Sequence, residues 1–357
     1  MPSSQQWNDE IYFRFNTESV SREFGIPLKT LEDFDAFLVS AAHLDFLPGG
    51  VRSGKFCIYP LHFNDVNNLI RQFRGSPLAE NFWRKRSSLR TRKATLDINF
   101  PEAMAVLNLT PDSFYPGSRI KEEDIEEKLD EIGRYGIRVV DIGGQSTRPG
   151  SERISPQEEI RRISKAVEAS LNRKFIVSID SFEPEVLRNC LEMGVHLIND
   201  VTGLENEEIG RLARKYDTPL VIMHKKGDFK TMQNSPSYEN VINEIIYFFY
   251  QKISLAARLG IEDNIVLDPG IGFGKRVEDN LAIINNLRDL RLGHPLLIGL
   301  SRKNFIGVIM NEPVGERGES SLILNTISLM NGADMIRVHD VRENSKLIKI
   351  IKKLKEN

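Results

Sequence analysis

From residue 100 to the C-terminus, short apolar runs alternate with longer amphipathic stretches. The runs read MAVLNLT, VVDIGG, FIVSID, HLINDV, PLVIMH, NIVLDPG, PLLIGLS and MIRVHD. Each is nearly continuously apolar, which is the pattern of a parallel strand covered on both faces. The stretches between them have a helical period. In DIEEKLDEIGRY, Ile125, Leu129, Ile132 and Tyr135 share one face. ISPQEEIRRISKAV offers Ser155 as N-cap, Pro156 at the first helical position and Glu158 to complete a capping box. YENVINEIIYFFYQKISLAARLG stops at Gly260, a helix-ending glycine. The last helix is expected to bury Leu347, Ile350, Ile351 and Leu354. Eight such units predict an α/β protein, a (β/α)8 TIM barrel. A doubly wound open sheet is the competing fold. The absence of G-x-G-x-x-G after the first run counts against it.

The first part of the chain has a different rhythm. EIYFRFN and KFCIYPL read as strands, with Pro60 marking a strand end or an edge. TLEDFDAFLVSAAHL and NDVNNLIRQF read as helices. Residues 1–90 are therefore expected to form a small α+β N-terminal module, and residues 95–357 the barrel. Between them RKRSSLRTRK, residues 84–93, is basic and poor in apolar residues, as a solvated linker would be. His43 and His62 in the module have no partners at metal-ligand spacing.

Composition narrows the function classes. A net charge of −2 argues against nucleic-acid or membrane-surface partners held by a global field. Cys57 and Cys190 stand far apart, in neither a redox nor a zinc spacing, so a reducing compartment is the simpler expectation. The N-terminus lacks the basic and apolar regions of a signal peptide, and no apolar run has the length of a membrane span. The expectation is a cytoplasmic location.

In a TIM barrel the chemistry sits at the C-terminal ends of the strands. The eight runs end in Asn108; Asp141; Asp180; Asn199 and Asp200; Met223 and His224; Asp268; Ser301, Arg302 and Lys303; and Arg337, His339 and Asp340. Asp200 and Asp340 stand where a turn or helix needs a cap. The rest form a rim of Asp, Asn, Lys, Arg and His. Buried carboxylates are costly unless paired, so such a rim predicts a polar ligand completing the network. Lys303, Arg337 and His339 come from neighbouring strands and predict an anion site. TPDSFYPGS and GGQSTRPGSE read as mobile loops over the rim, and the glycines of PGIGFGK allow close backbone approach.

At this point a resemblance enters. NLTPDSF, DIGGQSTRPG, SIDSF, INDVTG, LDPGIGFGK, GLSRKNFIG and IRVHDV, in that order, resemble the signature segments of dihydropteroate synthase. KATLDINFPEAM resembles the hairpin that closes the barrel bottom in that family. The resemblance implies condensation of 6-hydroxymethyl-7,8-dihydropterin pyrophosphate with para-aminobenzoate in folate biosynthesis, assisted by Mg²⁺. It implies a pterin pocket of Asp180, Asn199, Met223, Asp268 and Lys303, and a pyrophosphate site of Asn108, Arg337 and His339, with Asn108 also touching the metal. It implies an aminobenzoate pocket of Phe114, Thr147, Arg148, Pro149, Phe273 and Asn304. It implies Asp141, Lys303 and Asn108 as the catalytic group, and a homodimer through the late barrel helices as well. The chain departs from the family pattern at Gln145, Asn304, Ser320 and the Tyr115–Ser118 stretch. Two other readings are open: a pterin methyltransferase, which would share the pterin carboxylate and asparagine, and a pterin-binding protein without catalysis. The Ser-Arg-Lys after the seventh run and the Arg-x-His of the eighth count against the first, and Asp141, Lys303, Arg337 and His339 argue against the second.

Overall fold

The computed structural model describes residues 11–14, 20–21, 24, 26–31, 34, 36–40, 49–54, 56–62, 88–89, 98–110, 122–146 and 153–356. The chain divides into two compact units. One is Met1–Lys85 with Tyr250–Asp263, and the other is Arg86–Phe249 with Asn264–Asn357.

The first unit carries a four-stranded antiparallel sheet. Its strands are β1 (Ile11–Arg14), β2 (Ala36–Ser40), β3 (Val51–Ser53) and β4 (Phe56–Leu61), in the order β1-β2-β4-β3. β2 falls inside the segment TLEDFDAFLVSAAHL, expected to be a helix. A short apolar run cannot be assigned by period alone. Here Ala36–Ser40 pairs with β1 on one side and β4 on the other, and Phe37, Leu38 and Val39 are fully buried. Pro60 pairs opposite Phe37, beyond the stretch of β4 that β3 reaches, so its missing N–H sits at an open strand end. Val20, Phe24, Ile26, Leu31, Phe37, Val39 and Ile58 form the core of this unit. His62 lies against the Phe34 ring. His43 and NDVNNLIRQF lie outside the described residues.

The second unit opens with a two-stranded ribbon, β5 (Ser88–Leu89) and β6 (Ile98–Asn99). The expected linker is therefore wrong at its centre: Leu89 is buried in the barrel core. Eight parallel strands follow: β7 (Glu102–Asn108), β8 (Val139–Gly143), β9 (Ile176–Asp180), β10 (Leu197–Asp200), β11 (Leu220–Met223), β12 (Ile265–Asp268), β13 (Leu297–Ile298) and β14 (Met335–Val338). Their order is β12-β11-β10-β9-β8-β7-β14-β13. A parallel bridge between Leu267 and Leu296 joins the two ends, so the sheet closes into a barrel and the open-sheet alternative falls. Among the described residues the α-helices are α1 (Ile125–Arg134), α2 (Pro156–Asn172), α3 (Pro184–Met193), α4 (Glu207–Tyr216), α5 (Val241–Arg258, of which the part from Tyr250 on belongs to the first unit), α6 (Val277–Asn285), α7 (Asn304–Met310), α8 (Gly318–Met330) and α9 (Val341–Glu356). Among the described residues no helix is long and apolar enough to cross a membrane.

Local signals explain the helix ends, with two corrections. Ser155 caps α2 by accepting from the Glu158 N–H at 3.2 Å. The Glu158 carboxylate does not supply the expected capping box; it turns forward to Arg161 and Arg162. In α9 the buried stripe is Val341, Asn344, Leu347, Ile348 and Ile351. Ile350 lies on the far flank of that stripe and Leu354 in the last turn; they are 59% and 63% exposed, against expectation.

One layer of the barrel interior holds one apolar residue from each strand: Met104, Val139, Ile176, Leu197, Val221, Val266, Leu297 and Met335. Leu89 is part of this cluster and Phe100 packs against it. Side chains alternate along a strand, so the next inward residue is two positions on. That step arrives at Val106, Asp141, Ser178, Asn199, Met223, Asp268, Gly299 and Arg337. The barrel is thus apolar at its base and polar one layer up.

Candidate active site

The polar layer organises around Asp141, whose side chain is fully buried. One of its oxygens accepts from the Ser178 hydroxyl at 2.5 Å. The other accepts from Asn199 Nδ2 at 3.0 Å and Arg337 Nε at 2.6 Å. Arg337 then reaches Asp180 with its Nη2 at 2.7 Å. One guanidinium fork therefore links β14 to β8 and β9, holding two carboxylates at fixed spacing. Burial works against the charge on Arg337, but Asp141 and Asp180 more than offset it and hold its pKa above the usual value. Burial pushes Asp180 up to about 7, although Arg337 pulls the other way.

A second group stands at the ends of β11, β12 and β13. Burial raises Asp268 above the usual carboxylate range, opposed by Lys303 and by the Gly270 N–H, which donates to it at 2.7 Å. Lys303 donates to the Ile271 carbonyl, and its ammonium sits 4.7 Å over the Phe273 ring. Burial brings the Lys303 amine down to about 8, with Asp268 resisting. Met223 is buried beside Gly270. His339 is brought down to about 4, first by burial and then by the Arg337 charge, so it is a neutral imidazole at pH 7. Its Nδ1 is buried and has no hydrogen-bond partner among the described residues.

The structure thus brings together Asp141, Asp180, Asn199, Met223, Asp268, Lys303, Arg337 and His339. Asn108 ends β7 near Gly143, with its Oδ1 3.8 Å from where a Cβ on that glycine would lie. Asn304 is the first residue of α7 and exposed. Phe114, Thr147, Arg148 and Pro149 lie outside the described residues. Of the two expected caps, Asp200 is one: it accepts from the N–H groups of Thr202 and Leu204. Asp340 is not primarily a cap. It takes Arg302 in a bidentate pair at 2.9 and 2.7 Å, which accounts for that arginine without a ligand. Ser178 escaped the sequence reading. Its position two residues before Asp180, on the same strand face, was the available signal. Lys275 was passed over too, hidden in a motif read only for its glycines.

With this geometry established, the comparisons with known proteins are specific. Residues 104–339 match the family model described as pterin binding enzyme. The chain is 37% identical over 263 residues to a dihydropteroate synthase of Haemophilus influenzae, covering 71% of this chain and 94% of that protein. The crystal structure of the Yersinia pestis dihydropteroate synthase with a sulfonamide drug superposes with a TM-score of 0.72 at 34% identity, covering 76% of this chain and all of the other. The Thermus thermophilus dihydropteroate synthase in complex with 4-aminobenzoate gives a TM-score of 0.67 at 35% identity, covering 75% and 99%. A polar barrel rim at the strand ends, seven ordered motifs and relatives aligned over nearly their whole length agree: this chain belongs to the pterin-binding enzymes and, within them, to the dihydropteroate synthases, which are transferases.

Proposed function

We propose that the rim binds 6-hydroxymethyl-7,8-dihydropterin pyrophosphate beside para-aminobenzoate and joins them to 7,8-dihydropteroate with release of pyrophosphate. The observation that carries this reading is the Arg337 fork between Asp141 and Asp180, next to neutral His339, whose buried Nδ1 has no partner among the described residues. A rigid cation and a neutral donor side by side suit a departing diphosphate. Asp180, Asn199 and Asp268 face the pterin in this reading. Their carboxylates accept from its ring N–H and amino donors, and Asn199 offers both donor and acceptor. Met223 packs against the ring, and Lys303 bridges the pterin and acceptor sides. Phe273 and Asn304, with Phe114, Thr147, Arg148 and Pro149, form the acceptor pocket.

In the reaction the methylene carbon–oxygen bond breaks, with its electron pair leaving on pyrophosphate. Arg337 and His339 stabilise that developing charge. The aniline nitrogen then attacks the pterin methylene cation. The nitrogen loses its proton afterwards, as an acidic anilinium that needs no strong base.

Among the described residues no three His, Cys, Asp or Glu side chains converge to hold a metal ion. Both Asp141 oxygens are already engaged. This donor set fits a hard cation that arrives bound mainly to substrate oxygens, with the Asn108 amide oxygen as a protein contact. Bound there, Mg²⁺ would neutralise charge on the leaving pyrophosphate. Pyrophosphate release, measured with both substrates and Mg²⁺, tests the reading; tight pterin binding without release would refute it.

We also infer a homodimer through the late barrel helices. Ile323, Ile327 and Met330 are 54%, 38% and 57% exposed on α8, spaced i, i+4 and i+7, with Val308 and Met310 exposed on α7. Such a stripe is unfavourable in water. Ile327→Glu should convert a dimer to monomer in sedimentation; a wild-type chain that is monomeric at micromolar concentration would refute it.

A further inference from the structure

The loop Pro269–Lys275 that follows β12 has four successive carbonyls, each held by a side chain. Lys303 donates to Ile271, Gln233 Nε2 to Gly272 at 2.5 Å, Lys275 Nζ to Phe273 at 3.1 Å, and the Tyr238 hydroxyl to Gly274 at 2.8 Å. The loop also lies backbone to backbone on the exit of β11. A Cβ at Gly270 would stand 1.9 Å from the His224 carbonyl oxygen, and one at Gly274 would stand 2.1 Å from that of Lys226. No side chain fits at either place.

Lys275 sits at the joint between these two segments. Its amine lies 3.0 Å from His224 Nδ1 and 3.4 Å from the His224 carbonyl, besides its bond to Phe273. Both side chains are buried, at 4% and 5% exposure. Burial lowers the Lys275 amine to about 7, with Asp268 resisting, and holds the His224 imidazole well below its usual value. A neutral imidazole leaves Nδ1 free to accept. The residue before His224 is Met223, and the residue whose carbonyl Lys275 holds is Phe273. The amine therefore ties together the backbone carrying one ring-packing side chain on the pterin wall and one on the acceptor wall.

A buried amine is costly to desolvate, and its hydrogen bonds offset much of that cost. What it supplies is direction: hydrogen bonds that fix one loop position among several of similar packing energy. We propose that Lys275 is a positioning residue for the acceptor, setting the Phe273 ring against the aminobenzoate through its bonds to His224 and the Phe273 carbonyl. This rests on the functional reading given above.

Steady-state kinetics with both substrates, and thermal melting, test it on the full chain. Lys275→Met should raise KM for para-aminobenzoate tenfold or more. KM for the pterin pyrophosphate and kcat should stay within threefold, and Tm should fall modestly, because buried acceptors lose their donor. Lys275→Gln, which keeps a donor, should recover part of the loss. His224→Gln should add little once Lys275 is Met, because the two residues act as one joint. An unchanged aminobenzoate KM in Lys275→Met would overturn the proposal, as would an equal rise in both KM values. A wild-type enzyme without turnover would instead overturn the functional reading, and this inference with it.

Discussion

Replacing Arg337 by Met removes a cation that touches both Asp141 and Asp180, the one that does so among the described residues. Breaking a buried ion pair by deleting one partner costs about 3–5 kcal/mol, because a charge is left uncompensated. The lower end applies here. Asp141 keeps its bonds from Ser178 and Asn199, and Asp180, already pushed up to about 7, can take a proton. For a domain of this size, about 2–4 °C of Tm goes with each kcal/mol, so a fall of roughly 6–12 °C is expected. Activity should fall through a separate route. In the proposed placement Arg337 donates to the leaving pyrophosphate; losing two charge-assisted hydrogen bonds there, at about 1.5 kcal/mol each, should lower kcat/KM for the pterin substrate roughly a hundredfold. The double variant Arg337→Met/Asp141→Asn separates the routes. Neutralising Asp141 should recover about 1 kcal/mol or more of stability while activity stays low. A double variant no more stable than Arg337→Met would refute the charge argument. A kcat/KM within threefold of wild type would refute the pyrophosphate placement.

Two further outcomes follow from the same electrostatics. Lys303→Ala should abolish turnover, because this amine interacts with the Asp268 charge and sits over the Phe273 ring; a near-normal kcat/KM would move it out of the site. Asp180 should make the protein less stable as pH rises. Its folded pKa is raised to about 7, so its contribution is full below the usual carboxylate value and is lost between about pH 4 and 7. The Tm difference between wild type and Asp180→Asn should change in that direction over that window, and a flat difference would show that Arg337 keeps the carboxylate ionised throughout.

Much of the site was legible because it follows from a period of two. Once the eight apolar runs are strands, Asp141, Ser178, Asn199, Asp268 and Arg337 must face inward one layer above the apolar ring. Ser178 was missed only because a serine inside a strand carries no signal until its neighbour two positions on has a role. The anion corner was legible for the same reason, since Lys303, Arg337 and His339 end adjacent strands.

What the sequence by itself determined, then, is local: strand and helix periods, the Ser155 and Gly260 helix ends, and a polar rim whose ordered motifs mark the family. Tertiary structure decided every choice among partners. AFLVS became the strand β2 rather than part of a helix because β1 and β4 claim both its edges. Leu89 left a basic stretch to enter the barrel core. Asp340 took Arg302, and Ile350 and Leu354 stayed outside the buried stripe of α9. Arg337 chose Asp141, 196 residues away. Such pairings depend on how the barrel closes and how far each strand is staggered against the next. Those quantities belong to the whole ring, and a single segment of sequence carries no record of them.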